Sequence, residues 1–296
     1  MKPILIAGPT AAGKSALAIG LAQALGGRVI NADSQQIYEA WRVLSARPSP
    51  EEEAQAPHSL YGHVGLDQAY SAGHWLEEVT PLLDGPPAII VGGTGLYFKA
   101  LTGGLAPIPR VPAEVRAAGE RVAEELGREG FAGHFAALDP GTAAVIDMNN
   151  PRRVLRAWEV LEVTGTGLAD WQDRTPPPVL PLSDCLAIAM TPDRNWLYRR
   201  CDLRFEKMMA GGAVEEVRAV IAMDLPPDAP GLKAVGAGAL RDWLEGRITR
   251  DQAITRAQQE TRNYAKRQMT WIRNQMSAWH TLAAPNIETV LALAKG

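Results

Sequence analysis

Eight residues near the start of the chain, Gly8-Pro9-Thr10-Ala11-Ala12-Gly13-Lys14-Ser15, carry the groups needed to hold a phosphate. They fill every required position of G-x-x-x-x-G-K-[ST]. Glycines allow the tight path that lets backbone N–H groups converge. At a helix N-terminus those groups are unpaired, and the helix dipole adds to their pull on an anion. Lys14 brings a mobile positive charge, and the Ser15 hydroxyl is a candidate Mg²⁺ ligand. The motif defines a phosphate site, not a reaction. A second chemical group follows at Asp33, within Asn31-Ala32-Asp33-Ser34-Gln35-Gln36. A carboxylate there fits a general base, an outer Mg²⁺ partner, or a cap for the next turn.

The elements that must place these groups show in the pattern of apolar residues. An apolar run over 4–7 ends at Gly8, and an alanine- and leucine-rich helix over 15–25 is stopped by Gly26-Gly27. Further short strands are predicted over 28–31, 88–91 and 186–190, and Ser71 is placed to cap a helix over about 73–83. Continuous apolar strands alternating with helices predict an α/β fold with a parallel sheet covered on both faces. In such a sheet the strand C-termini share one edge, where ligands bind, so Asp33 is expected near the phosphate loop. A typical NTPase also has an apolar strand ending in an acidic Mg²⁺ partner. Here residues 88–91 run into Gly92-Gly93-Thr94-Gly95, which counts against a motor ATPase or GTPase and leaves a small-molecule kinase open.

Between Pro107-Ile108-Pro109 and Thr175-Pro176-Pro177-Pro178 the periodicity is helical, with no convincing strand. The proline-rich borders predict a helical insertion over 108–182 within a core made of 1–107 and 183–296. The longest helix is expected over about 250–279. Two basic stretches stand out: Arg152, Arg153 and Arg156, and then Arg262, Lys266, Arg267 and Arg273 with Tyr264 and Trp271 interleaved. Lys and Arg meet backbone phosphate and aromatic rings stack on bases, although solvated helix faces with core aromatics have the same pattern. With 46% hydrophobic and 21% charged residues and a net charge of −3, the composition is ordinary for a soluble globular protein, and a cytoplasmic location is expected. No run approaches a membrane span, and Met1-Lys2-Pro3-Ile4 enters a strand without room for a signal peptide. Cys185 and Cys201 have no zinc spacing and are expected to be reduced thiols.

Taken in order, these segments resemble the tRNA dimethylallyltransferase family, also called tRNA isopentenyltransferases. The resemblance runs through the phosphate loop, Asp33-Ser34 with Tyr38, Ala46-Arg47-Pro48, Pro57-His58, Tyr70-Ser71 and Val91-Gly92-Gly93-Thr94-Gly95-Leu96-Tyr97. It continues through Asn150-Pro151-Arg152-Arg153 with Arg156-Ala157-Glu159-Val160, and Lys266-Arg267-Gln268-Thr270-Trp271-Arg273. The resemblance implies a P-loop, nucleotide-kinase-like core whose loop, Gly8 to Ser15, holds the pyrophosphate of dimethylallyl diphosphate with Mg²⁺ on Ser15. Asp33 matches the general base, Lys14 stabilises the leaving group, and Thr94 lines the reaction channel. Asp33, Ser34, Gln35, Gln36 and Thr94, the run Arg152, Arg153, Val154, Leu155 and Arg156, and Arg116, Lys266 and Arg267 are the implied tRNA contacts. The insertion would grip the anticodon stem-loop. The implied product is N6-dimethylallyladenosine at the adenosine 3′ of the anticodon; nothing in the sequence demands more than a monomer.

The chain departs from the family in two places. Ser15 stands where Thr is usual and keeps the hydroxyl. Gly231-Leu232-Lys233-Ala234-Val235-Gly236-Ala237-Gly238 lacks the usual Gly-Tyr pair and has Lys233 near the place of an Arg, as a weaker candidate pyrophosphate contact. Two competing readings use the same loop. One is an ATP-dependent small-molecule or nucleotide kinase, for which Arg199, Arg200 and Arg204 would pass as a lid. The other is a non-catalytic RNA-binding ATPase regulator.

Overall fold

A computed structural model of the chain describes residues 1–295. Six strands form one sheet: β1 (Ile4–Ala7), β2 (Arg28–Asn31), β3 (His58–Ser59), β4 (Ala88–Gly92), β5 (Leu186–Met190) and β6 (His280–Leu282). Their order is β3-β2-β4-β1-β5-β6, and every pairing is parallel. The predicted α/β class and the four central strands are therefore present. The two edge strands have two and three residues, too short to leave a hydrophobic period in the sequence.

β1, β4 and β5 are buried along their whole length because helices cover both faces. Ile4 and Ile6 pack on Leu17 and Leu21 on one face, and Leu5 and Ala7 on Trp75 and Phe98 on the other. Each large side chain removed from water this way contributes about 1.5–3 kcal/mol. This two-sided core fixes the register, since a slip of one residue would send each side chain to the wrong face.

Three strand ends relevant to chemistry meet at one edge. Ala7 pairs with Gly92, and Asn31 with Val91, so the loops after β1, β2 and β4 leave the sheet side by side. Gly92 makes this possible: a Cβ there would lie 2.0 Å from the Ala32 carbonyl oxygen. Across that contact Ala32 N–H donates to Val91 O at 2.8 Å and Thr94 N–H to Ala32 O at 3.1 Å.

The helix after the phosphate loop spans Lys14–Leu25 and ends on Gly26 at φ 62°. Ser71 caps the helix Ala72–Val79 by accepting from His74 N–H, and a short 3-10 turn, Thr80–Leu83, completes the predicted segment. The long C-terminal helix is Arg250–Gln275, opened by a Thr249 capping box. It stops four residues before the expected 279, where Met276 leaves helical geometry.

The chain divides into two compact units, Met1–Thr102 with Val179–Gly296, and Gly103–Pro178. The second unit begins five residues before the expected 108 and ends four residues before the expected 182. The second unit contains the helices Ala113–Leu138, Pro140–Val145, Pro151–Thr164 and Leu168–Asp173, with no strand among the described residues. Its core is built on Phe131, Phe135, Val154, Ala157 and Trp158. No helix among the described residues is long and apolar enough to cross a membrane.

Candidate active site

The phosphate loop joins β1 to the helix Lys14–Leu25. Ala11 and Gly13 both take positive φ, 64° and 90°, which turns successive N–H groups inward. Ala12 N–H donates to Pro9 O at 3.3 Å, and Lys14 Nζ donates to the same carbonyl at 2.8 Å. Two arginines brace the loop from the helix Arg194–Ala210. Arg200 Nε donates to Ala11 O at 2.8 Å, and Arg204 Nη2 donates to the Thr10 hydroxyl. Trp196 supports Arg200 from one turn earlier, with the guanidinium carbon 4.8 Å from the ring centroid.

These cations share a cavity of about 320 Å³ lined by Lys14, Ser15, Asp33, Arg47, Arg200 and Arg204 among others. That size suits a small phosphorylated ligand. Burial pulls the Lys14 ammonium down to about 8, Arg204 pulls the same way, and Asp33 opposes both. Burial also lowers the Arg204 guanidinium, against the pull of Cys201 and Asp33.

Asp33 is 8% exposed, and its placement is built by neighbours in sequence. The fully buried Asn31 accepts from Asp33 N–H at 2.8 Å through Oδ1 and donates to Asp33 O at 3.0 Å through Nδ2. Asp33 Oδ1 accepts from Gln35 N–H at 2.9 Å. Its other oxygen, Oδ2, has no hydrogen-bond partner among the described residues. Asp33 lines the phosphate cavity and also a second one, whose walls include Leu44, Phe205, Met208, Val235 and Tyr264. Burial, and then Asp33, raise the Tyr264 hydroxyl above its usual range, so it stays a neutral donor. The Thr94 hydroxyl accepts from Ser34 N–H at 2.8 Å and donates to Ser34 Oγ at 3.1 Å, locking the loops after β2 and β4 together. Gln36 is turned back onto Ser45 O and Ala46 O, at 3.0 and 2.8 Å.

A cationic anion pocket and a neighbouring cavity of mixed polar and apolar lining thus share Thr10, Asp33 and Arg204, and the Asp33 carboxylate keeps a free oxygen there. The IPP transferase family model matches residues 36–275, and the isopentenyl transferase model matches residues 1–61. The chain belongs to the IPP transferase family. It is 56% identical to a tRNA dimethylallyltransferase of Cereibacter sphaeroides, over 96% of this chain and 90% of the relative. It is 52% identical to one of a Ruegeria species, over 95% and 96%. Among solved structures it is similar to a tRNA isopentenylpyrophosphate transferase of Bacillus halodurans, with a TM-score of 0.71 and 29% identity over 100% of this chain and 96% of that one. These matches favour the prenyl-transfer family over the kinase reading.

Within this family frame the remaining predicted residues separate. Lys233 is exposed and lines neither cavity, and Arg200 and Arg204 hold the loop instead. Those two arginines lay in the segment that resembled a kinase lid; their four-residue spacing, which puts them on one helix face, was the available signal. Lys266 and Arg267 are exposed on the long helix, and Arg262 is tied to Asp202. Tyr264 and Trp271 face inward rather than offering stacking surfaces: Tyr264 lines a cavity, and Trp271 packs against Gly95.

In the helical unit, Arg152 and Arg153 are exposed at the start of Pro151–Thr164. Val154 is 1% exposed and belongs to the core, and Leu155 packs on Gly119. The helical period turns these two inward, which removes their side chains from the expected RNA contacts. Arg116 and Arg156 both reach the buried Glu159, at 3.7 and 3.3 Å. The basic stretch therefore has a carboxylate beneath it in space.

Proposed function

We propose that the chain transfers the dimethylallyl group of dimethylallyl diphosphate to N6 of the adenosine 3′ of the anticodon in tRNA, giving N6-dimethylallyladenosine. The observation that carries the proposal is Asp33, with a free Oδ2, in the wall common to the cationic cavity and its neighbour. Adenine N6 is a poor nucleophile because its lone pair is spread into the ring. Transfer needs a stabilised leaving group on one side and a proton acceptor on the other.

The diphosphate lies on the loop N–H groups from Ala11 to Ser15, its charge met by Lys14, Arg200 and Arg204. The allylic C1–O bond breaks, the N6–C1 bond forms, the N6 proton passes to Asp33, and diphosphate leaves. Each preorganised contact to the leaving group supplies roughly 3–4 kcal/mol of barrier lowering. The base supplies about 10²–10⁴-fold. Thr94, which fixes Ser34 beside Asp33, borders the path of the incoming base.

Ser15 Oγ has no hydrogen bond among the described residues and shares the phosphate cavity, a hard-oxygen setting that suits Mg²⁺. No cluster of three or more His, Cys, Asp or Glu among the described residues offers a cage for a metal. Ser15 would hold such an ion. When bound it supplies further neutralisation of the leaving group.

Ser34, Gln35 and Gln36 stand beside Asp33, where the base enters. The exposed Arg152, Arg153, Lys266 and Arg267 serve as backbone-phosphate contacts, and Arg116 and Arg156 add charge held in place by Glu159. The target base is unpaired in the anticodon loop, which lowers the cost of drawing it into the site. In this reading the chain acts as a monomer on cytoplasmic tRNA.

The test is mass spectrometry of tRNA from a strain lacking the modification, after incubation with the protein, Mg²⁺ and dimethylallyl diphosphate, beside Asp33→Ala. Wild type should form N6-dimethylallyladenosine, and the variant should form it at least about a hundredfold more slowly. An equally active variant removes Asp33 from the base role. No adduct, with ATP consumed in the presence of a small acceptor, replaces the proposal with a kinase.

A further inference from the structure

Gln268 sits on the long helix Arg250–Gln275 and is 5% exposed, and both ends of its amide are used. Its Oε1 accepts from Thr10 N–H, in the phosphate loop, at 2.8 Å. Its Nε2 donates to Gly93 O, next to Thr94, at 3.1 Å. Among the described residues it is the one side chain with hydrogen bonds to both loops. Gly93 leaves room for it: a Cβ there would meet Gln268 Nε2 at 2.0 Å and Asp33 Oδ2 at 3.1 Å. Thr10 is held from the other side by Arg204 on its hydroxyl. Lys266 and Arg267, its neighbours in sequence, are exposed.

We infer that Gln268 is a positioning residue that sets the distance between the donor's diphosphate and the acceptor base. The inference rests on the transfer activity proposed above. Neither hydrogen bond is made to a group that itself needs to touch substrate. The Thr10 amide lies upstream of the N–H groups at the helix entrance, and the Gly93 carbonyl is turned into the protein. Gln268 therefore adds little to the binding of either substrate alone. It keeps the loop that holds the allylic C1 and the loop that borders N6 in one relative placement. Reaction at a fixed geometry is steep in distance, and a misplacement of about 1 Å typically costs about a hundredfold in rate. Binding of each substrate by itself has no such dependence, so the two measurements separate.

The experiment compares wild type with Gln268→Met, which keeps the volume and loses both hydrogen bonds, and with Gln268→Glu, which keeps an acceptor for Thr10 and loses the donor to Gly93. Single-turnover formation of N6-dimethylallyladenosine is measured with both substrates saturating. Affinities for dimethylallyl diphosphate and for tRNA are measured separately, and circular dichroism checks the fold. The expected result is a single-turnover rate lowered about 10- to 100-fold in Gln268→Met, with both affinities within about threefold of wild type. Gln268→Glu should also be slowed, because the link to Gly93 is cut. A Gln268→Met rate within threefold of wild type overturns the inference. So does a donor affinity that falls in step with the rate, since Gln268 would then only hold up the phosphate loop. A misfolded Gln268→Met leaves Gln268→Glu to decide by the same criteria. Wild type that makes no adduct overturns the proposed transfer activity, and this inference with it.

Discussion

Lys14 should make donor binding depend on pH in a way few surface lysines would. Its ammonium is pulled from 10.5 to about 8, first by burial and then by Arg204, against the attraction of Asp33. In the free protein it is therefore mostly charged at pH 7, and about one molecule in ten remains charged at pH 9. A bound diphosphate favours the charged form and raises the Lys14 pKa. Affinity for dimethylallyl diphosphate should then be flat below pH 8 and fall by about tenfold per unit above it, about 1.4 kcal/mol at each step. Calorimetric titration at pH 7, 8 and 9, in two buffers of different ionisation enthalpy, reads both the affinity and the proton taken up. Uptake should approach one proton per ligand at pH 9. Lys14→Arg keeps its charge over this range and should remove both the fall and the uptake. Constant affinity without proton uptake, or the same fall in Lys14→Arg, would refute the reasoning. Stability has its own sign. The folded-state pKa is depressed, so the proton on Lys14 opposes folding fully below pH 8, and the penalty is relieved as pH rises from 8 to 10.5. Lys14→Met should melt above wild type at pH 7, with the gap closing toward pH 10.

Two further comparisons separate residues that look alike in sequence. Arg204→Ala should weaken dimethylallyl diphosphate binding by about tenfold or more, because it removes a half-buried charge in the phosphate cavity, while Lys233→Ala should stay within about twofold. Equal losses in a binding titration would restore Lys233 to the site. Arg153→Ala should lower tRNA affinity and reduce the slope of log affinity against log salt by about one, leaving the melting temperature near wild type. Val154→Ala should lower stability by about 2 kcal/mol and leave the salt slope unchanged, since its side chain is in the core of the helical unit. A salt slope altered by Val154→Ala would contradict its burial.

The phosphate loop was legible because it is a local device. Its glycines, lysine and hydroxyl act through the backbone of eight consecutive residues, with a strand before and a helix after them. The central strands were legible for a similar reason, as burial on both faces leaves an unbroken apolar run. The edge strands β3 and β6 were not, because a few half-exposed residues carry no period. In the basic stretch 152–156 the charges could be counted, but helical phase decided which residues face outward. Phase put Arg152 and Arg153 in solvent and Val154 in the core, and folding set Glu159 under Arg156 and Arg116.

Asp33 marks the boundary between the two kinds of knowledge. The sequence by itself placed a carboxylate just after a strand and, through the parallel sheet, at the ligand-binding edge. It also determined the anion-binding loop and a family pattern spread over most of the chain. Only the tertiary structure brought Arg200, Arg204, Tyr264 and Gln268 to the same edge, from helices about 170–260 residues further along the chain. A local motif is written in consecutive residues because the backbone alone enforces it. A brace between distant segments has no such signature, since its geometry exists only once the sheet has closed and the helices have packed upon it.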